Sequence, residues 1–444
     1  MLTGLLLFLA LIVFGTYSEN LMDYGGAMGA SRLAPVSPRP DITPRPNATK
    51  PPSAIAENGI TMRMAVAGDI VAHTGLNAEA LRSDGSYDFT DVFSGAIPYL
   101  RAADFALADL ETTFAGGEVF TGHPDFKSPD GLAESLSRFG IDMLVTANNH
   151  AMDAMRDGMI RTLNTIEREG MLHSGTYRTQ SERNASQGVR VVNVNNIKLA
   201  FVSLTYGLNG RSIIGSPYIT NLYASDYTDL SEEIDYKFVQ DYMKAARDTE
   251  SDLIVVTVHW GEEYEREPYE IQLELADLFF AEGADIILGG HTHVPQPIEL
   301  RDIIDNEGNE KKGLVLFSLG NFVSTQNDPY TELTAIVNID IEKNLDTGET
   351  YILDFDYVPM YMVDLEDHGI TNAAWRHRLW DLHAAIDSYK NGDNLGVITP
   401  QFYETLQRCL LNLQTVLGPE YDYRAKLAAA SSSSDPVITP LVLE

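Results

Sequence analysis

Leu253-Ile-Val-Val-Thr-Val-His259-Trp-Gly261 carries the strongest strand signal in the chain and closes it on a histidine. An unbroken apolar run of this length suits a buried strand, and a polar group at its end falls where open α/β sheets build their sites. Four other segments repeat the arrangement. Met62-Arg-Met-Ala-Val-Ala leads to Gly68-Asp69, Phe105-Ala-Leu-Ala to Asp109-Leu-Glu111, Met143-Leu-Val-Thr-Ala to Asn148-Asn-His150, and Ile286-Ile-Leu to Gly289-Gly-His-Thr-His293. Further strands are read at Leu199-Ala-Phe-Val-Ser-Leu and Leu314-Val-Leu-Phe-Ser-Leu. Helical patterns separate them at Gly131-Leu-Ala-Glu-Ser-Leu-Ser-Arg-Phe, Met159-Ile-Arg-Thr-Leu-Asn-Thr-Ile and Ile271-Gln-Leu-Glu-Leu-Ala-Asp-Leu-Phe-Phe. Strands alternating with helices predict an α/β architecture. Two later alternating runs, Leu333-Thr-Ala-Ile-Val-Asn-Ile-Asp-Ile and Tyr351-Ile-Leu-Asp-Phe-Asp-Tyr-Val-Pro, flank Leu345-Asp-Thr-Gly-Glu and predict a hairpin that closes the sheet.

The chain of 444 residues sets 31 basic against 64 acidic side chains, a net charge of -33. That balance argues against nucleic acid as a partner, since phosphate contacts need a basic face. A polyanion would approach only where metals or local bases such as Lys127, Arg156 and Arg266 offset the field. With Cys409 as the single cysteine, neither an intrachain disulfide nor a cysteine zinc site can form.

Residues 1–17 are apolar and uncharged, and read as a membrane anchor or, alternatively, a cleaved signal segment. Residues 18–60 include a proline-dense stretch that reads as an extended extracytoplasmic linker. A folded domain is expected over 61–365, a helical extension over 366–427 and a disordered tail over 428–444. Anchor, spacer and domain in that order predict a protein tethered at the cell membrane, with secretion after cleavage as the alternative.

The polar groups at the strand ends suit divalent cations. Hard carboxylate oxygens from Asp69 and Glu111 balance ionic charge, and the neutral imidazoles of His259, His291 and His293 complete coordination shells. The amide oxygen of Asn149 can also ligate. His150 beside it can face the substrate and protonate a leaving oxygen, with Asp153 either orienting that imidazole or capping a helix. An extended backbone at 291–293 would point both histidines to one face. Without thiolates, the donor set admits manganese, iron, zinc or magnesium, one ion or two. A pair of such ions would activate water for hydrolysis of a phosphoester.

These segments resemble the bacterial capsule-synthesis CapA family, or poly-γ-glutamate biosynthesis family, within the calcineurin-like metallophosphoesterase superfamily. The resemblance lies in Val66-Ala-Gly-Asp69, Ala108-Asp-Leu-Glu111, Phe126-Lys-Ser-Pro129 and Gly140-Ile-Asp-Met-Leu-Val-Thr-Ala-Asn-Asn-His150. It continues through His259-Trp-Gly-Glu-Glu-Tyr264, Gly283-Ala-Asp-Ile-Ile-Leu-Gly-Gly-His-Thr-His-Val-Pro-Gln-Pro297 and Phe317-Ser-Leu-Gly-Asn-Phe322. It implies a four-layer α/β/β/α sandwich. It also implies Asp69, Glu111 and His293 around one ion, Glu111, Asn149, His259 and His291 around a second, and His150 as proton donor. His73, Asp109, Trp260, Glu263, Ser318 and Asn321 are expected next outward, behind the ligands or facing substrate. The chain departs from the superfamily where Ile70-Val71 follows Asp69 in place of Asp-x-His, which leaves His73 as a substitute ligand, and where Glu111 replaces an aspartate. It departs from the family's more usual pattern where Asp109 replaces an asparagine. Two functions fit. One is a metal-dependent hydrolase of a phosphoester or related polymer linkage at the cell surface. The other is a non-catalytic, metal-containing subunit of a capsule synthesis complex that binds or guides an anionic polymer such as poly-γ-glutamate.

Overall fold

The alternating pattern resolves into two facing sheets. The computed structural model describes residues 58–226, 233–306 and 308–432. The chain opens with β1 (Gly59–Ile70), α1 (Thr74–Ala80), α2 (Ile97–Ala102), β2 (Phe105–Leu110), α3 (Asp130–Phe139), β3 (Met143–Val145), α4 (Met155–Arg168) and β4 (Leu172–Ser174). It continues through α5 (Gln180–Ser186), β5 (Val189–Val194), β6 (Ile197–Thr205), α6 (Tyr236–Arg247), β7 (Leu253–His259), α7 (Glu270–Ala281), β8 (Ile286–Gly290), β9 (Ile298–Ile304) and β10 (Glu310–Leu316). It closes with β11 (Asn321–Val323), β12 (Leu333–Asn344), β13 (Thr350–Asp364), β14 (His377–Asp381), α8 (Leu382–Lys390), α9 (Pro400–Leu417) and α10 (Tyr423–Ser432).

The larger sheet has the order β14-β13-β12-β1-β2-β3-β4, with β11 also pairing to β1. The smaller runs β5-β6-β7-β8-β10-β9. Side chains alternate across each strand, so both faces of each sheet can be covered. Met62, Met64 and Val66 of β1 face inward, together with Phe105 and Leu107 of β2. They meet Leu199 and Phe201 of β6 and Leu253 and Val255 of β7 in one core between the sheets. The opposite parity of the larger sheet, Ala65, Ala67, Ala106 and Ala108, lies under Leu132, Leu136, Leu163 and Ile166 of α3 and α4. Alanine there lets the helices sit close. On the smaller sheet Ile254, Val256 and Val258 pack with Val239 and Met243 of α6 and Leu275 and Phe279 of α7. The layers are therefore helices, sheet, sheet, helices.

The expected hairpin is present: β12 pairs antiparallel with β13, and Asn344 N–H donates to Glu349 O across the turn. Three boundaries move. β1 starts at Gly59, inside the stretch assigned to the linker. The region read as wholly helical contains β14, whose five residues pair with β13. A strand this short shows too little periodicity to separate from a helix in sequence. The tail assigned to disorder begins as helix, since α10 runs to Ser432 through an alanine-rich turn of high helix propensity. The expected anchor at 1–17 and the linker as far as 57 lie outside the described residues, as does 433–444. Among the described residues no helix is long and apolar enough to cross a membrane.

The helices that follow β14 belong to the same core. Leu382 and Ile386 of α8 and Phe402, Leu406, Leu413 and Leu417 of α9 continue the inner cluster onto Phe355, Tyr357 and Tyr361 of β13. Asp381 caps α8 by accepting from His383 N and Ala384 N, and Thr399 caps α9 at Phe402 N. Leu406 is fully buried. Leu406→Ala is expected to cost about 2–5 kcal/mol, read as a lower urea midpoint at unchanged slope; an unchanged midpoint would show that α9 does not support the sheet.

Candidate metal centre

The parallel strands of both sheets end on the same side of the molecule. In register, Asp69 of β1 lies beside Asp109 of β2 and beside Asn321 of β11, and His259 of β7 lies beside Gly290 of β8. Parity fixes direction. Asp109 continues the inward series of Phe105 and Leu107, and His259 that of Leu253 and Val255, so the two meet between the sheets at 3.0 Å. Asp69 Oδ2 accepts from His291 N at 2.9 Å. Only glycine permits this approach, because a Cβ on Gly290 would stand 2.5 Å from Asp69 Oδ1. His291 and His293 are not extended as the sequence suggested. Both have left-handed backbone, at φ 98° and 60°, a costly conformation for such residues that persists where surroundings impose it.

The donors fall into overlapping groups. Ligand atoms of Glu111, His259 and His291 lie within 4.8 Å of one another, as do those of Asp69, Glu111 and His293, and those of Asp69, Asp109 and His259. Asn149 joins the first group, its Oδ1 2.9 Å from His259 Nε2. All of these side chains except Asp109 are almost wholly buried.

Hydrogen-bond sense bears on whether cations fit. A carboxylate only accepts, so His259 Nδ1 carries the proton given to Asp109 Oδ2. His259 Nε2 then confronts Asn149 Oδ1, a second acceptor, and the pair needs either another proton or a cation between them. Glu111 makes the same demand: neither carboxylate oxygen has a hydrogen-bond partner, and His291 Nδ1 has none. No lysine or arginine among the described residues forms an ion pair with Asp69, Asp109 or Glu111; the ion-pair partners of Asp109 and Glu111 are histidines. Burial, followed by the charges of Glu111 and Asp109, pushes the Asp69 carboxyl well above its usual range. Burial opposes charge on His259, but its contacts with Asp109 and Glu111 prevail and push it up to about 10. Burial, then His259 and His293, hold His291 well below the usual imidazole range. Buried hard oxygens and imidazoles with unpartnered lone pairs are the donor set that divalent ions take.

Supporting residues orient these donors. Asn148 Nδ2 donates to Asp109 Oδ1 at 2.7 Å and to Leu110 O at 2.8 Å, and so pins the carboxylate that holds His259. Asn321 Oδ1 is 2.9 Å from His293 Nδ1, and its own Nδ2 donates to Gln326 Oε1 at 2.6 Å. Asp109 and Asn321 thus stand behind histidines. His150 Nε2 is 3.8 Å from Glu111 Oε1. Its Nδ1 is 2.7 Å from Asp153 Oδ2, which also accepts from Phe126 N at 2.6 Å. The Phe126 ring packs edge-on against His150, centroids 4.7 Å apart.

Other expected residues lie elsewhere. Trp260 is not at the site: it follows Val258 in outward parity, is buried under α7, and its Nε1 donates to Phe317 O at 2.9 Å. His73 does not join the ligand groups. Its Nδ1 turns to Val71 O at 3.2 Å and its ring packs on Phe126. Ser318 Oγ accepts from Gly320 N at 3.0 Å and shapes the turn before β11. Glu263 is an exposed rim residue, its Oε1 3.9 Å from His293 Nε2. Residues missed in the sequence are Asn148, Tyr206, whose ring centroid is 4.9 Å from that of His291, and Asn209, whose Oδ1 accepts from Asn149 Nδ2 at 3.2 Å. Asn148 adjoins the candidate ligand Asn149, whereas Asn209 follows β6 in a loop without pattern.

Two facing sheets, with buried oxygen and imidazole donors at their strand ends, define a mixed α/β protein whose cleft is compatible with a divalent metal site. The chain belongs to the bacterial capsule synthesis protein PGA_cap family, whose model matches residues 63–326. It is 28% identical over 263 residues to the PGA biosynthesis protein CapA of Bacillus subtilis (strain 168), a match covering 57% of this chain and 62% of that protein, less than two thirds of its length. It is 24% identical over 324 residues to the capsule biosynthesis protein CapA of Bacillus anthracis, covering 72% of each. A phosphatase structure from Mycoplasma pneumoniae aligns at 14% identity with a TM-score of 0.39 over 68% of this chain and 93% of that one, too slight a likeness to support an argument.

Asp109→Asn keeps the shape but removes the charge behind His259, and is expected to weaken manganese binding about 10- to 100-fold by calorimetry; unchanged affinity would show that Asp109 does not act through His259. Ion binding must displace the second proton of His259, whose hold on that proton Asp109 and Glu111 strengthen, pushing it up to about 10. Affinity should therefore rise between pH 6 and pH 8, with proton release seen as a buffer-dependent heat. A pH-independent affinity would contradict this.

Proposed function

We propose that the protein acts in capsule or poly-γ-glutamate synthesis at the cell envelope, as a metal-dependent hydrolase of a phosphoester or related polymer linkage. The carrying observation is the placement of His150, buried 3.8 Å from Glu111 and locked from behind by Asp153 at 2.7 Å. An imidazole held only for stability would not need its free nitrogen turned toward a cluster of candidate ligands.

In this reading Asp69, Glu111 and His293 would hold one divalent ion, and Glu111, Asn149, His259 and His291 would hold a second. Bound ions supply Lewis acidity and lower the pKa of water at neutral pH. The chain's residues do the rest. Asp153 accepts the Nδ1 proton of His150 and fixes the ring, which leaves Nε2 to pass a proton to the departing oxygen. Phe126 holds Asp153 through its backbone N–H and shields the ring of His150 with its own. Glu263 and Tyr264, both exposed, form a rim beside His293 where substrate enters. A cell-surface position accords with the names of the Bacillus relatives and with the apolar segment at 1–17, and anionic polymer and other capsule-synthesis subunits are the partners this role requires.

His150→Ala is expected to lower kcat on phosphomonoesters or diesters about a hundredfold or more, with metal content unchanged by elemental analysis. Manganese-loaded full chain that turns over nothing on a broad ester panel, yet retains poly-γ-glutamate, would sink the hydrolase reading and leave a polymer-binding subunit.

A further inference from the structure

Asn149 must present its oxygen, not its NH2 group, to an ion, and its strand end alone does not make that choice. The two ends of an amide differ in hydrogen-bond sense: the oxygen accepts and the nitrogen donates. Oδ1 of Asn149 lies 2.9 Å from His259 Nε2. Its Nδ2 reaches Asn209 Oδ1 at 3.2 Å, a side chain contributed by the opposite sheet. Asn209 occupies the exposed turn after β6 with a left-handed backbone, φ 49°, and its own Nδ2 is 3.4 Å from His150 Nδ1. That nitrogen already gives its proton to Asp153, so a second donor gains little from it. The bond that Asn209 makes well is the one it accepts from Asn149.

We propose that Asn209 is a positioning residue: by accepting from Asn149 Nδ2 it turns the Asn149 oxygen toward the ion position shared with Glu111, His259 and His291. The proposal rests on the metal-centre reading above and concerns binding, not turnover. If the amide rotated, NH2 would face the ion and one ligand would be lost. Because Asn209 is exposed, water competes for the same hydrogen bond and limits the effect to about tenfold.

Left-handed backbone suits glycine, so Asn209→Gly removes the side chain while keeping the turn. An aspartate at 149 has oxygen at both ends and nothing to orient. Manganese is therefore titrated calorimetrically into the full chain as wild type, Asn209→Gly, Asn149→Asp and the double variant. Asn209→Gly is expected to weaken binding about tenfold in the wild-type background and less than about threefold in the Asn149→Asp background. Any other pattern among proteins that bind, including equal weakening in both backgrounds or none in either, overturns the assignment. A wild-type chain that takes up no manganese overturns the centre as well, which separates failure of the site from failure of Asn209.

Discussion

The site exists because two sheets can touch at their strand ends, and the contact that allows it is Asp69 against the backbone of Gly290 and His291. The carboxylate accepts one N–H across the inter-sheet gap and occupies the volume a side chain at 290 would fill. Everything else in the cleft takes its position from this closure. Glu111 sits one residue beyond β2, within 3.5 Å of His259 and 3.7 Å of His293, only because the strands carrying those groups have been drawn together. The left-handed backbones of His291 and His293 absorb the sharp turn that follows.

Closure gathers carboxylates that repel one another in a largely buried place. Such a cluster is costly unless positive charge enters it. Among the described residues no lysine or arginine pairs there, and lone pairs of Glu111 and His291 are left without a hydrogen-bond partner. Folding has thus concentrated negative charge at the strand ends, and the Asn148–Asp109–His259 chain of hydrogen bonds extends the polar cluster one layer outward. In an acidic protein of net charge -33, the same field that deters polyanions draws divalent cations toward the cleft.

Much of this was legible in the sequence, for physical reasons that also explain the gaps. Asp69, Glu111, Asn149, His259, His291 and His293 could be picked out because each stands just after an apolar run, where burial makes a polar group conspicuous. Trp260 was misplaced although the pattern held the answer: the alternation that sends His259 inward sends its neighbour outward under α7. Short strands such as β4, β11 and β14 gain their pairing from tertiary context, not from their own periodicity. Asn209 had no local mark, since its partner lies 60 residues earlier on the other sheet.

The first strand of the fold has its antiparallel neighbour far along the chain, with Gly59 opposite Asn344 and Val66 opposite Val337. β1 lies at the middle of the larger sheet, so its antiparallel edge stays unpaired until β12 has been synthesised. Until then the growing polypeptide displays an apolar strand with an open edge. Contacts of such long sequence separation slow folding and prolong exposure to aggregation, so this architecture favours a producing cell that keeps the nascent chain sheltered until β12 has emerged.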